Sequence, residues 1–140
     1  MKELGKIVLH IPAREGSKRV PRKNMRPMNG KPMISYTVEA ALKANITPHN
    51  YVNTDSKEIC DYIRSNYTGF GIYERDPALA NDQASSDQFN LDIIERLEPD
   101  TLVMVNPVCP LIEAKDIVNA LNAYAEGDWD TLITSESTQM

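Results

Sequence analysis

The stretch that most constrains the fold lies at residues 6–36, close to the start of the chain. A short apolar run at residues 7–11 breaks into a loop rich in cations, and an amphipathic segment then follows. This order is typical of a strand, an anion-binding loop and a helix. The backbone N–H groups at the start of such a helix can bind phosphates. We therefore expect much of the function to lie in this loop.

The rest of the chain alternates short apolar runs with segments of helical periodicity. The pattern predicts strands at 7–11, 51–54, 70–73, 101–105 and 131–134, helices over 34–45, 56–67 and 86–97, and a last helix through 117, 121 and 124. Strands that alternate with helices favour an α/β fold with a mostly parallel sheet covered by helices on both faces. Because the last apolar run is followed only by a polar tail, we expect one incomplete domain.

Polar residues mark the expected helix boundaries. Asp55 with Glu58 three residues later predicts a capping box, and Ser85 with Gln88 predicts a second one. Gly127 is a candidate closing residue for the last helix. Residues 77–87 have no periodic pattern and are predicted to form a surface loop, and ligands of such sheets bind beyond the carboxyl ends of the strands.

The charge of the chain is distributed unevenly. The net charge is −5, yet residues 1–43 carry ten Lys and Arg against three acids, and residues 14–31 alone carry seven cations and one acid. A short basic segment on an acidic protein indicates a local site for a small polyanion, and a solvated charged loop is the alternative. A nucleic-acid groove would spread its cations more widely, so a nucleic-acid partner is not expected.

Other sequence features exclude several classes of protein. No apolar run is long enough to cross a bilayer, and residues 1–5 lack a signal-peptide core, so we expect a soluble, cytoplasmic protein without a membrane partner. Cys60 and Cys109 lack the spacing of a disulfide or metal framework. His10, inside the first strand, is expected to be a packed histidine, while Asp55 could bind a metal but is more simply a helix cap.

The loop after the first strand has the composition of a phosphate-binding segment. Gly16 allows close backbone approach, Ser17 offers a hydroxyl and Pro21 stiffens the loop. Neither GxxxxGK[ST] nor GxGxxG is present. The cations that the loop would hold near one another are Arg14, Lys18, Arg19, Arg22 and Lys23.

A family resemblance becomes specific at this loop. The segment reads IPAREGSKRVPRKN and continues with GKPMISYTVEAA, and it resembles the opening signature of the acylneuraminate (CMP-sialic acid) cytidylyltransferases and related sugar-acid enzymes. Four further segments resemble motifs of this family in the same order. They are NTDS at 53–56, RDPALA at 75–80, DQASS at 82–86 and NPVCPL at 106–111.

The resemblance implies a Rossmann-like nucleotidyltransferase fold, with residues 1–140 as the nucleotide-binding part of a cytidylyltransferase domain. It implies an enzyme that transfers CMP from CTP to a 2-keto-3-deoxy sugar acid, with Mg²⁺ as cofactor and a homodimer in full-length members. The family's metal-binding aspartates lie beyond the matched region, so no metal ligand is assigned in this chain, which is expected to be inactive by itself if that part is missing.

Site residues follow from the same resemblance. Arg14 and Lys23 are expected to act catalytically by holding the triphosphate and stabilising the leaving pyrophosphate, while Asn106 is expected to lie toward the sugar. The nucleotide-binding set implied by the motifs is Arg14, Ser17, Lys18, Lys23, Asn24, Arg75, Ser85 and Ser86.

Three positions depart from the sialic-acid branch. Arg19 stands where glycine is common and is more similar to the 3-deoxy-octulosonate branch, Asn106 stands in place of glutamine, and Ile112 stands in place of arginine. The sugar therefore stays open. Two other functions also stay open, namely a non-catalytic nucleotide-binding or oligomerisation module, and a nucleotidyltransferase for another sugar or nucleoside triphosphate.

Overall fold

The computed structural model describes residues 3–13, 25–74, 86–107 and 112–127, and for residues 74 and 86–89 it describes the backbone only. Four helices and six strands lie in these ranges. The helices are α1 Met33–Ala44, α2 Lys57–Asn66, α3 Ser86–Leu97 and α4 Ala114–Glu126. The strands are β1 Ile7–Pro12, β2 Pro27–Met28, β3 Lys31–Pro32, β4 Asn50–Thr54, β5 Gly71–Glu74 and β6 Thr101–Met104.

Four of the strands form one parallel sheet in the order β5-β4-β1-β6. The chain moves from β1 outward through β4 to β5, and it then returns to place β6 on the other side of β1. The strand order thus reverses at β1, which is the switch point where sheets of this kind bind ligands. The predicted parallel α/β sheet is confirmed for the described residues.

The first face of the sheet carries the larger apolar core. Leu9 and Ile11 of β1 point to this face and join a buried cluster with residues from three helices. Alternate residues of a strand point to opposite faces, so β1 contributes every second side chain here. The helical members of the cluster are Ile34, Val38, Ala40 and Ala41 of α1, Ile59 and Ile63 of α2, and Ile117 of α4.

The second face is covered by α3, and the described residues form a smaller buried apolar cluster there. Val8 of β1, Tyr73 of β5 and Ile93 of α3 form its buried cluster. The helical spacing of Phe89, Ile93, Ile94 and Leu97 predicts one buried apolar stripe on α3. Ile94 is instead 44% exposed, and Leu91 is 55% exposed. The expected burial of Ile94 is therefore wrong, because the helix turns that side chain away from the cluster centred on Ile93.

A small hairpin joins the cationic segment to α1. Strands β2 and β3 pair antiparallel through a two-residue turn at Asn29 and Gly30, which both have positive φ. Asn-Gly is the favoured sequence for such a turn because both residues accept left-handed backbone angles. The sequence analysis missed this hairpin, although the Asn-Gly pair is a signal for it.

The helix boundaries correct one prediction. Asp55 does not cap α2, because the helix begins at Lys57 and Ser56 is its N-cap, with its hydroxyl accepting from the Ile59 N–H at 3.3 Å. The Thr54 hydroxyl accepts from the Ser56 N–H at 3.0 Å. The turn between β4 and α2 is therefore one residue longer than the predicted Asp55 cap requires. The expected loop at 77–87, the Ser85 cap and the strand at 131–134 lie largely or wholly outside the described residues.

The remaining helix ends agree with the sequence pattern. Asn45 closes α1 in the left-handed conformation, and Gly127 closes α4 with a negative φ. None of the described helices has both the length and the apolar character needed to span a membrane.

Candidate nucleotide site

The carboxyl ends of the parallel strands bring separate segments to one edge. Pro12 of β1 lies beside Asn53 of β4, and Thr54 of β4 lies beside Glu74 of β5. On the other side of β1, the Val105 N–H donates to the His10 carbonyl at 3.0 Å. The segments that follow these strands therefore leave the sheet at a common edge, as predicted.

Two hydrogen bonds hold β1 at the point where the cationic segment begins. The N–H of Ala13 donates to the Asn53 carbonyl at 2.9 Å, and the Thr54 hydroxyl donates to the Ala13 carbonyl. Thr54 is 1% exposed, so neither bond competes with bulk water. Thr54 thus connects the residue before Arg14 to the start of α2, a role that sequence reasoning missed within the NTDS motif.

The other end of the cationic segment is also fixed to the core. Met25 is partly buried and packs against the cluster on the first face. The Met33 N–H donates to the Arg26 carbonyl at 2.9 Å, and the Tyr36 hydroxyl donates to the Met28 carbonyl. Residues 14–24 therefore start and finish at anchored positions.

An ion pair links the hairpin to α1 and to the end of α2. Lys31 Nζ lies 2.8 Å from Glu39 Oε1, and the Tyr67 hydroxyl donates to Glu39 Oε2 at 2.7 Å. The hydrogen bond from Lys31 lowers the pKa of Glu39, and the same bond raises the pKa of Lys31. Burial, followed by the bond to Glu39, raises the pKa of Tyr67. The carboxylate of Glu39 therefore stays ionised and accepts from both partners.

Of the predicted site residues, the structure describes Asn106 fully and Ser86 through its backbone. Asn106 is exposed and follows β6 at the edge where β1 ends, and Ser86 is the first residue of α3. Those that lie outside the described residues are Arg14, Ser17, Lys18, Lys23, Asn24, Arg75 and Ser85.

His10 is a packed histidine, as expected. Its side chain is 0% exposed, and its Nε2 lies 2.9 Å from Oδ1 of Asn90 on α3. Ile112, at the position where the sialic-acid branch has arginine, packs against the core of the first face. An apolar side chain at position 112 therefore serves packing in this chain.

Comparison with known proteins identifies the family. The cytidylyltransferase family model matches residues 8–139. The chain belongs to the cytidylyltransferase family. The match covers nearly the whole chain, so the predicted family is confirmed.

Individual cytidylyltransferases resemble the chain over most of its length. The N-acylneuraminate cytidylyltransferase of Streptococcus agalactiae serotype V is 33% identical over 135 residues, covering 92% of this chain and 32% of that protein. The pseudaminic acid cytidylyltransferase of Campylobacter jejuni is 37% identical over 109 residues, covering 78% of this chain and 46% of that protein. The chain thus spans less than half the length of these two relatives.

A solved cytidylyltransferase structure has the same fold. It is a CMP:2-keto-3-deoxy-manno-octonic acid synthetase complexed with CTP, with a TM-score of 0.71 and 29% identity over 84% of this chain and 46% of that one. The likeness agrees with the predicted nucleotidyltransferase fold.

The described residues do not form a metal site by themselves. They contain no group of three or more His, Cys, Asp or Glu side chains that could hold a metal ion. The carboxylate that follows β4 at the site edge belongs to Asp55, which is exposed. Mg²⁺ at nucleotide sites is held by one or two carboxylates together with phosphate oxygens, so Asp55 could supply one carboxylate and the phosphates of a bound nucleotide would supply the other ligands.

Proposed function

We propose that this cytidylyltransferase chain is the nucleotide-binding part of an enzyme that transfers CMP from CTP to a 2-keto-3-deoxy sugar acid. The observation that carries the proposal is the switch point at β1. There the cationic segment following Ala13 and the polar residue Asn106 leave the sheet on neighbouring strands. A phosphate-binding segment beside a second polar segment suits a reaction that joins a nucleotide to a sugar.

The proposed reaction needs no protein nucleophile. The anomeric hydroxyl oxygen of the sugar acid attacks the α-phosphorus of CTP in line, the bond from that phosphorus to the β-phosphate oxygen breaks, and pyrophosphate leaves. The hydroxyl proton passes to solvent or to a base. The barrier falls through positioning and through stabilisation of phosphate charge.

We assign the residues of the motifs to the parts of this reaction. Arg14 and Lys23 hold the triphosphate and stabilise the charge of the departing pyrophosphate, and Asn106 lies toward the sugar. Support for Arg14 comes from its anchored neighbour Ala13. The remaining nucleotide contacts in the proposal are Ser17, Lys18, Asn24, Arg75, Ser85 and Ser86.

Mg²⁺ is part of the proposal, and when bound it neutralises charge on the phosphate oxygens of CTP. No step of the mechanism assigned to this chain's residues passes through the metal. We also propose that the full-length protein is a homodimer and that it is located in the cytoplasm. The sugar acid is left at the level of its class, since the relatives are named for different acids, N-acylneuraminate, pseudaminic acid and 2-keto-3-deoxy-manno-octonic acid.

Calorimetry of the full chain with CTP and Mg²⁺ tests the nucleotide half of the proposal. We expect CTP to bind more tightly than UTP or GTP. Substituting Arg14→Ala should weaken CTP binding about tenfold or more, because a charge-assisted contact to phosphate is lost. Lys57→Ala is the matched control, since Lys57 is an exposed cation paired with Asp61 on α2. No CTP binding by the wild-type chain, or equal losses in both variants, would contradict the proposal.

Pyrophosphate release tests the catalytic half. The chain is incubated with CTP, Mg²⁺ and a panel of 2-keto-3-deoxy sugar acids. Release that depends on one of these acids supports the transfer reaction, whereas CTP binding without release supports a non-catalytic nucleotide-binding module. Release with UTP or GTP in place of CTP supports a nucleotidyltransferase of another specificity.

A further inference from the structure

A hydrogen bond joins the central strand to the helix on the second face. His10 lies within β1, and its fully buried ring reaches Asn90 on α3, with 2.9 Å between Nε2 and Oδ1. Because an amide oxygen can only accept, Nε2 carries the proton and donates it. The bond connects residues that are 80 positions apart in sequence.

Both partners lie close to segments that the proposed function uses. From His10, β1 continues to Pro12, and Ala13 then precedes the cationic segment. From Asn90, one turn of α3 leads back to Ser86, the first residue of the helix. The start of α3 lies one helical turn, about 5.4 Å, from Asn90 in the same regular helix. A shift of Asn90 along the sheet therefore moves the start of α3 by a similar amount.

Among the described residues, the buried apolar cluster under α3 is smaller than the one shared by the other helices. Three buried apolar residues, Val8, Tyr73 and Ile93, form the cluster between this helix and the sheet. Apolar burial is not directional, whereas a hydrogen bond fixes both distance and angle. A second polar contact, from the Tyr73 hydroxyl to Asp92 at 2.6 Å, holds the β5 side of the helix.

We propose that His10 is a positioning residue for the nucleotide. Through Asn90 it sets the distance between the start of α3 and the end of β1. In the proposed function, on which this inference rests, CTP contacts the residues that follow β1 and those at the start of α3. A ligand that occupies the triphosphate segment alone does not depend on that distance.

Two substitutions at position 10 separate positioning from packing. His10→Gln keeps an N–H donor near the place of Nε2, and His10→Asn is also a polar amide but is too short to reach Asn90. Asn90→Ala removes the acceptor from a partly buried position, and this variant carries the test if His10→Asn does not fold. Thermal melting followed by circular dichroism selects a temperature at which each variant is folded.

The experiment compares CTP with inorganic tripolyphosphate, both measured by calorimetry on the full chain. We expect His10→Asn and Asn90→Ala to weaken CTP binding about tenfold and to change tripolyphosphate binding by less than about twofold. His10→Gln should restore CTP binding to near the wild-type value.

Equal weakening for the two ligands, unchanged CTP binding, or a His10→Gln variant as weak as His10→Asn would overturn the inference and leave the proposed function standing. A wild-type chain that fails to bind CTP would overturn the proposed function and this inference together.

Discussion

The two faces of the sheet are built in different ways. The first face buries a continuous apolar cluster shared by α1, α2 and α4. The second face has a small apolar cluster beneath α3, and polar pairs hold that helix to the strands. Burial of apolar area supplies most of the stability of a fold, while directional polar contacts define position. The first face therefore stabilises the domain, and the polar pairs of the second face position α3.

The polar contacts of the second face are spread across the width of the sheet. His10 bonds to Asn90 at β1, and Tyr73 bonds to Asp92 at β5. The guanidinium of Arg96 lies over the Tyr73 ring, 4.7 Å from its centroid. These contacts hold α3 at two separate points, which restricts rotation of the helix over the strands.

The largest expected effect compares how much each face of the sheet contributes to the free energy of unfolding. Ile63 of α2 is fully buried on the first face, and Ile93 of α3 is fully buried on the second. We expect Ile63→Ala to lower the free energy of unfolding by about 2–5 kcal/mol, and Ile93→Ala to cost less because it leaves a smaller cluster. Urea denaturation measures both. Ile94→Ala is the exposed control, with an expected change within about 0.5 kcal/mol. A larger loss for Ile93→Ala than for Ile63→Ala would contradict the comparison.

An intermediate effect is expected at the start of α2, which packs on the first face. Ser56→Ala removes the hydroxyl that accepts from the Ile59 N–H, so we expect the unfolding free energy to fall by about 1 kcal/mol. Asp55→Ala leaves that cap in place and should cost less. Thermal or urea unfolding of the two variants compares them directly, and a greater loss for Asp55→Ala would restore Asp55 as the cap.

The smallest effect concerns Tyr73 on the second face. Tyr73→Phe removes one hydrogen bond to Asp92, and because the pair is only partly buried we expect a loss of about 0.5 kcal/mol in unfolding free energy at neutral pH. The measurement is urea unfolding at neutral pH, with the wild-type chain beside the variant.

The difference in unfolding free energy between wild type and Tyr73→Phe should depend on pH. Burial, followed by the bond to Asp92, raises the pKa of Tyr73 from 10.0 to about 12. A raised pKa gives stability that is complete below pH 10 and is lost as the pH rises through 12. The advantage of wild type over Tyr73→Phe should therefore shrink in this window, and an advantage that stays constant would contradict the assigned bond.

Most of the fold could be predicted from the sequence. Strand-length apolar runs and helical spacing located β1, β4, β5 and β6 and all four helices, because burial of regular elements imposes those periods. The predicted N-cap of α2 was wrong because tertiary contacts decide which of two neighbouring residues caps the helix. Thr54 bonds to both Ala13 and Ser56, and this moves the cap of α2 one residue beyond the Asp55 pattern.

Less of the candidate site could be predicted from spacing alone. The cationic composition of residues 14–31 indicated a polyanion site, while the roles of individual residues came from the family resemblance. Thr54 was missed because its hydroxyl bonds to Ala13, a residue distant in sequence, whereas the hairpin turn at Asn29 and Gly30 has a local Asn-Gly signal that was overlooked. The partner of His10 was likewise not deducible, since nothing in the local sequence points to Asn90.

The central place of β1 has a consequence for how the protein is made. The strand β1 pairs with β4 and with β6, and β6 is synthesised about ninety residues after β1. At translation rates of about 5–20 residues per second, one edge of β1 has no native strand partner for roughly 5 to 20 seconds. The apolar strand is then open to premature association. We therefore expect the yield of folded protein to depend on translation speed and on chaperones that bind nascent chains.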